Sequence, residues 1–281
     1  MNILTFNNVN FTYPAVEGDV DENGNPVQPP VVFDHFSAEL PGGFVSLVGP
    51  NGSGKSTFML LASGRLLPLE GKIWLFGKET STLSDEEKNE LASFLYQNME
   101  FDTDDKVSDL LNYVYQNGML NGSAKGIVNA ETDLLEEIIN TFELAELGEK
   151  KLNALSKGQM QRVLIAFSII YGSKSVFMDE PLFACEDYQK NYALKYLRDF
   201  CKTTGTTIYI SMHELELTRK YAETVMLFHP NHDIDLGTPD EVMTDADLEK
   251  VYGIPASMLK HSEIMTRNQI KDESDMIKSL Q

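Results

Sequence analysis

Nine consecutive residues, Gly49-Pro50-Asn51-Gly52-Ser53-Gly54-Lys55-Ser56-Thr57, carry the most specific chemistry in the sequence. They follow an apolar strand-like run, Gly43 to Val48, and open an apolar helical run, Phe58 to Leu61. Glycines at this spacing let the backbone wrap closely and aim several N–H groups inward, and a helix N-terminus adds partial positive charge. Lys55 supplies a full charge to the β- and γ-phosphates of a nucleotide, and the Ser56 hydroxyl suits a Mg²⁺ ligand. The expected ligand is ATP with Mg²⁺, held on a Walker A loop.

A second run, Val176-Phe177-Met178-Asp179-Glu180, is an apolar strand ending in two carboxylates. Asp179 fits the group that holds Mg²⁺, and Glu180 can polarise an attacking water as general base. Acidic residues often end strands, so this pattern gains weight from its expected place on a parallel strand neighbouring the one that feeds the glycine loop.

Elements must bring these runs together. Residues 3–13 alternate enough for a strand ending near Pro14, and Val31-Val32-Phe33 resumes strand character. Between them, residues 15–30 are acidic and rich in Gly, Asn and Pro, which predicts a long hairpin tip with Asn23-Gly24 as its turn signal. Residues 71–77 form another short strand between glycines. Residues 103–170 read mainly as helix, with Val107, Leu110, Leu111 and Val114 on one face and Leu134, Leu135, Ile138, Ile139 and Phe142 on another. Strands return at 175–178 and 207–210 around a helix near 187–202, which predicts a parallel sheet and an α/β fold.

The 281 residues fit one large domain or two small ones, and a 42% hydrophobic fraction is enough for a real core. The formal charge of −20 argues against a nucleic-acid-coating surface, which needs the opposite sign. The central apolar run Val163 to Tyr171 falls far short of the roughly 20 residues of a spanning helix. Nothing at the N-terminus resembles a signal peptide, so the expected location is cytoplasmic. Cys185 and Cys201 have no metal spacing and read as idle buried thiols.

Further motifs choose among P-loop proteins. Leu155-Ser156-Lys157-Gly158-Gln159-Met160-Gln161-Arg162, just ahead of the Asp179–Glu180 strand, closely resembles the signature of the ATP-binding-cassette (ABC) family. Gln97 matches the family's Q-loop glutamine, a catalytic and metal-site position. His213, in Ser211-Met212-His213-Glu214, matches the switch histidine, and Tyr13 lies where the family stacks an aromatic ring on adenine. Five motifs stand in the family's order between about residues 3 and 255. The resemblance implies a P-loop NTPase core with a parallel sheet, an antiparallel β subdomain and an inserted α-helical subdomain at about 98–165. The cassette would span 1–255, leaving 256–281 as a polar helical tail.

The resemblance also implies a paired mechanism. Two cassettes would face head to tail as a homodimer in the family's manner, so that Ser156, Gly158 and Gln159 of one reach the ATP held at 49–57 of the other. His213 would hold the γ-phosphate and help fix Glu180. Most such cassettes energise transport, so a membrane permease would be supplied in trans, with Met99, Phe101, Val107, Leu110 and Leu111 as candidate lining of its docking cleft. The chain would then lie at the inner face of the cell membrane through that partner alone. Residues 236–254 look like the ending of cassettes serving metal-chelate importers (siderophore, haem or cobalamin). A non-transport ABC ATPase in a soluble assembly complex is the competing reading.

The pattern is not followed throughout. Lys157 replaces the first glycine of the signature pair, Glu186 stands at the D-loop aspartate position, and Phe167 occupies a place often held by arginine. Asp19 to Gly24 matches half of an EF-hand loop, but Pro30 stands where its closing glutamate should, so an acidic hairpin is expected. His229-Pro230-Asn231-His232-Asp233 reads as a solvated turn rather than a ligand set.

Overall fold

The structure, a computed structural model, describes residues 2–15, 27, 29–97, 99, 101 and 103–259. Strands β1 (Asn2–Thr12) and β2 (Val31–Pro41) pair antiparallel as the hairpin expected from the alternating start of the chain. Most of its tip lies outside the described residues, and so does the EF-hand-like run 19–24. β2 continues eight residues past Phe33, because Phe36, Ala38 and Leu40 keep one apolar face after a break at His35, where φ is 50°. That break and several register shifts along β1 hid the alternation.

β3 (Phe44–Val48) feeds the glycine loop, and α1 (Lys55–Ala62) leaves it. β4 (Glu70–Leu75) and β5 (Lys78–Glu79) complete a four-stranded antiparallel sheet in the order β2-β1-β4-β5. α2 (Asp85–Leu91) leads into β6 (Ala92–Leu95). Three helices follow, α3 (Val107–Asn117), α4 (Leu134–Thr141) and α5 (Lys157–Tyr171). The remainder alternates: β7 (Ser175–Asp179), α6 (Asp187–Thr204), β8 (Thr207–Ser211), α7 (Leu215–Tyr221), β9 (Thr224–Phe228), β10 (Ile234–Gly237), α8 (Pro239–Val242) and α9 (Asp245–Tyr252).

The second sheet runs β10-β9-β3-β8-β7-β6, parallel except for β10. β8 therefore separates the strand before the glycine loop from the strand ending in Asp179; they are not neighbours, as the sequence reading supposed. The insertion matters, because β8 delivers Ser211 and His213 between the two halves of the site. Strands buried on both faces read as nearly continuous apolar runs, as β3, β7 and β8 do. Val45, Leu47 and Tyr209 point into the core shared with the antiparallel sheet and α1, whereas Phe44, Ile208 and Ile210 pack against the helical layer.

The region read as mainly helical contains two long stretches outside α-helix, 118–133 and 142–156, the second with single 3-10 turns at Ala145–Leu147 and Leu152–Ala154. Glu137 explains how the first is held. Its buried carboxylate accepts the backbone N–H groups of Ile127, Val128 and Asn129 at 2.8–3.0 Å and the Tyr196 hydroxyl at 2.8 Å. Val107 and Leu111 are buried against the rest of the helical cluster, so they cannot line a surface cleft; Met99, Phe101 and Leu110 are partly buried at its edge. Phe167 is partly buried against the same cluster, which accounts for an apolar residue there. No helix among the described residues is long and apolar enough to cross a membrane.

Candidate active site

The glycine loop turns on backbone geometry that side chains would spoil. Gly49, Gly52 and Gly54 have φ of 151°, 78° and 101°. A Cβ at Gly49 would stand 2.6 Å from the Phe228 carbonyl, so the loop packs tightly onto β9. α1 starts without a side-chain cap, which leaves its first N–H groups open at the loop. The buried Ser53 hydroxyl also lacks a partner among the described residues. Open amides, an orphaned hydroxyl and a cation together form a cradle suited to phosphate.

Lys55 is that cation, and it is only 6% exposed. Its Nζ donates to the carbonyls of Gly49 (2.8 Å) and Pro50 (2.9 Å). Burial pushes its pKa down, while the charges of Glu180 and Asp179 oppose that shift. Next along α1, the Ser56 hydroxyl donates to Oδ2 of Asp179 at 2.5 Å. The two proposed metal ligands are thus already adjacent, and hydroxyl plus carboxylate is the oxygen donor set that Mg²⁺ takes beside phosphates.

Asp179 ends β7, Glu180 follows it, and both are held from β8. Ser211 Oγ donates to Oδ1 of Asp179 (2.6 Å) and accepts the backbone N–H of Glu180 (2.9 Å). Glu180 sits at φ 48°, a left-handed conformation costing about 1–3 kcal/mol for such a residue. Nε2 of His213 donates to its Oε1 at 2.6 Å, and Nε2 of Gln97 donates to Oε2 at 2.7 Å. The His213 hydrogen bond, aided by the charges of His213 and Lys55 and the Gln97 bond, holds the Glu180 carboxyl below the usual range against the opposing effect of burial. A carboxylate ionised at neutral pH, oriented by two donors and set beside a phosphate cradle, can accept a proton from water.

The remaining candidates fall into two groups. Tyr13 lies against the cradle: its hydroxyl shares a 3.0 Å hydrogen bond with Thr57, and its ring is 41% exposed. Asn51 is exposed at the loop tip. Ser156 and Gln159, in contrast, are engaged with each other at the start of α5 in a capping box, at 3.1 and 3.3 Å. No hydrogen bond joins them to residues 49–57 among the described residues. Gly158 packs under the turn after Glu180, where a Cβ would meet the Ala184 carbonyl at 2.5 Å. Its partner Gln161 accepts the Ala184 N–H at 2.8 Å.

Ser211 and Gln161 were missed as site residues; a small polar residue closing a wholly buried strand is the only signal Ser211 offers. Gln97 is bonded to Glu180 rather than to the Ser56–Asp179 pair. His229 is buried against Asp235 at 2.7 Å and His232 reaches the Ser53 carbonyl at 3.2 Å, so the 229–233 turn braces the loop. No cluster of three or more metal-ligating side chains occurs among the described residues. Burial raises the thiol of Cys185 to about 11 and that of Cys201 to about 12, which leaves both inert near neutral pH.

Comparison with known proteins identifies the family of the chain. The family described as ABC transporter matches residues 35–183. A relative from Archaeoglobus fulgidus, described as an ABC transporter ATP-binding protein, is 30% identical over 255 residues, covering 90% of this chain and 98% of its own length. The petrobactin import ATP-binding protein of Bacillus anthracis is 29% identical over 224 residues, 79% of this chain and 88% of that one. In fold, the chain is similar to a dimeric ATP-binding cassette in a post-hydrolysis state with ADP and Pi. That likeness has a TM-score of 0.68 and 22% identity, covering 84% of this chain and 99% of that one.

Proposed function

The chain belongs to the ABC transporter family, and from that premise we propose how its residues divide the work of an ATP-hydrolysing subunit. It is the ATP-binding subunit of an ABC transporter and an ATPase. One observation carries the reading: the Glu180 carboxylate is fixed between His213 and Gln97, one residue beyond the Asp179 that reaches Ser56.

ATP would lie on residues 49–57, with Lys55 and the open amides of α1 on its phosphates and the exposed ring of Tyr13 against the base. Ser56 and Asp179 would hold Mg²⁺, with Gln97 as the third ligand that the family pattern implies. Bound there, Mg²⁺ would neutralise charge developing on the phosphate oxygens. Glu180 takes the proton of the attacking water, and His213 keeps that carboxylate aimed. Gln97 restrains the second carboxylate oxygen. Residues 1–255 would act as one cassette with the helical part at about 98–165 inserted, and 256–281 as an appendage.

The signature residues complete the site from a second copy. Ser156, Gly158 and Gln159 stand at the N-terminus of α5, unbonded to their own chain's cradle, where helix polarity favours an anion. A homodimer places each such end on the other's γ-phosphate. Likeness to the petrobactin import protein supports a metal-chelate importer whose permease is a separate membrane chain, the cassette lying on its cytoplasmic side.

Mixing two inactive variants tests the trans arrangement. Lys55→Ala and Ser156→Arg should each be silent alone, yet recover ATP turnover when combined, because one of the two composite sites is then intact. A mixture as inactive as its components at every ratio would contradict a shared site.

A further inference from the structure

α6 begins immediately after the turn 181–186, the segment that packs against Gly158 and follows Glu180. Two of its side chains grip α7 at opposite ends. Lys190, a buried residue, forms an ion pair with Glu214, whose side chain is 22% exposed. Asn191 Oδ1 accepts the Lys220 Nζ at 2.8 Å and the Tyr221 hydroxyl at 2.9 Å. Glu214 is the N-cap residue of α7, and its carbonyl accepts the Thr218 N–H at 3.0 Å. It is also the residue directly after His213.

His213 therefore stands between two fixed points. Behind it, the Met212 N–H reaches the Leu47 carbonyl of β3 at 3.4 Å. Ahead of it, Glu214 is tied to α6 by a lysine buried with its charge. A buried ion pair adds little net stability compared with apolar packing, but breaking one partner leaves an uncompensated charge, so its arrangement is enforced. The charges of Lys190 and Glu214 both act on the thiol of Cys185, in the turn that precedes α6.

We propose that Lys190 is a positioning residue for His213, acting through Glu214 to lock the switch histidine to the helix that follows the 181–186 turn. The inference rests on the reading that His213 orients Glu180 for hydrolysis. The Lys190 Nζ is engaged with Glu214 rather than with the cradle at residues 49–57. It makes α6 and the start of α7 move as one body, so a displacement of the 181–186 turn by a second cassette reaches His213 and, through its 2.6 Å hydrogen bond, the Glu180 carboxylate.

Lys190→Met, Lys190→Arg and Glu214→Gln, each checked for a cooperative melt, test it by kinetics and by the His213 imidazole NMR signal assigned with His213→Gln. Lys190→Met should lower kcat by ~10-fold with KM for MgATP within ~3-fold of wild type, and Lys190→Arg should recover most of that loss. In a His213→Ala background the same substitution should cost less than ~2-fold, because coupled residues are not additive. The His213 signal should shift or broaden in Lys190→Met and Glu214→Gln while that of remote His35 stays put. An unchanged His213 signal in both variants, or a kcat loss repeated in full without His213, overturns the proposal. If Glu180→Gln turned over at the wild-type rate, the reading of the hydrolytic site would fail, and the imidazole signal would still judge Lys190.

Discussion

Ser211 Oγ lies 2.6 Å from Oδ1 of Asp179 and 2.9 Å from the backbone nitrogen of Glu180, so one hydroxyl on β8 sets both carboxylates at the end of β7. Three adjacent strands thereby contribute to one centre: β3 through the glycine loop, β7 through the acid pair, and β8 through Ser211 and His213. Removing that hydroxyl should be felt at the metal and at the base together. Ser211→Ala is expected to cost about 1.5–3 kcal/mol of stability, the range for hydrogen bonds to charged groups. It should also raise the Mg²⁺ concentration needed for half-maximal turnover, which a Mg²⁺ titration alongside a denaturant melt will read. A variant with unchanged Mg²⁺ dependence would place the metal elsewhere.

Tyr13 offers two separable interactions. Tyr13→Phe loses only the shared hydrogen bond with Thr57, worth about 0.5–1.5 kcal/mol. Tyr13→Ala also loses the exposed ring, and a stacked base is worth about 1–3 kcal/mol. Equilibrium titration with ATP should therefore weaken sharply for Ala and slightly for Phe. Equal weakening would mean that the ring does not contact the base.

Gly158 has a steric reason to be glycine that is independent of any phosphate. A Cβ would stand 2.5 Å from the Ala184 carbonyl, a backbone atom that cannot move aside cheaply. Gly158→Ala should destabilise by about 1–3 kcal/mol, the usual cost of overpacking, and shift the 181–186 turn. Lys157→Gly, at an exposed position, should leave the melting temperature within a few degrees. The two melts together check whether the first or the second signature position bears the packing load.

Glu180 has a folded-state pKa below its ordinary value, so it stabilises the fold above the unfolded value of about 4.5, and that contribution is lost as pH falls through the folded value. Wild type should thus lose stability between neutral and strongly acid pH by more than Glu180→Gln, whose side chain does not titrate. Denaturant midpoints at pH 7 and pH 4 will show the gap between the two proteins narrowing on acidification; a gap independent of pH would mean that His213 and Lys55 do not hold the carboxylate.

Much of this centre was legible because its chemistry sits in contiguous runs. Residues 49–57 and 176–180 announce a phosphate loop and an acid-ended strand whatever the surrounding fold, since backbone approach and metal ligation restrict which residues can stand there. Strand order was not legible in the same way. Nothing in β3 or β7 says that β8 lies between them, because all three are buried runs with the same apolar look. β2 was cut short at Phe33, where the break at His35 interrupts the period of two. Within the mainly helical region the stretch 118–133 leaves the helix, because the buried carboxylate of Glu137 holds it through bonds that no local pattern records. The contact between Gly158 and Ala184 is likewise tertiary, so that glycine could be read only as a phosphate neighbour.

Glu180 is the group on which hydrolysis by the paired ATPase depends. Mg²⁺-dependent ATP turnover, measured against protein concentration for wild type and Glu180→Gln with the ATP-bound mass followed by light scattering, tests it most directly. Wild type should hydrolyse with a rate that rises with its own concentration. Glu180→Gln should lose at least ~10²-fold in turnover, the low end for removing a general base, and accumulate as an ATP-stabilised dimer. Turnover within a few-fold of wild type, or a Glu180→Gln protein that binds ATP yet stays a monomer, would contradict it.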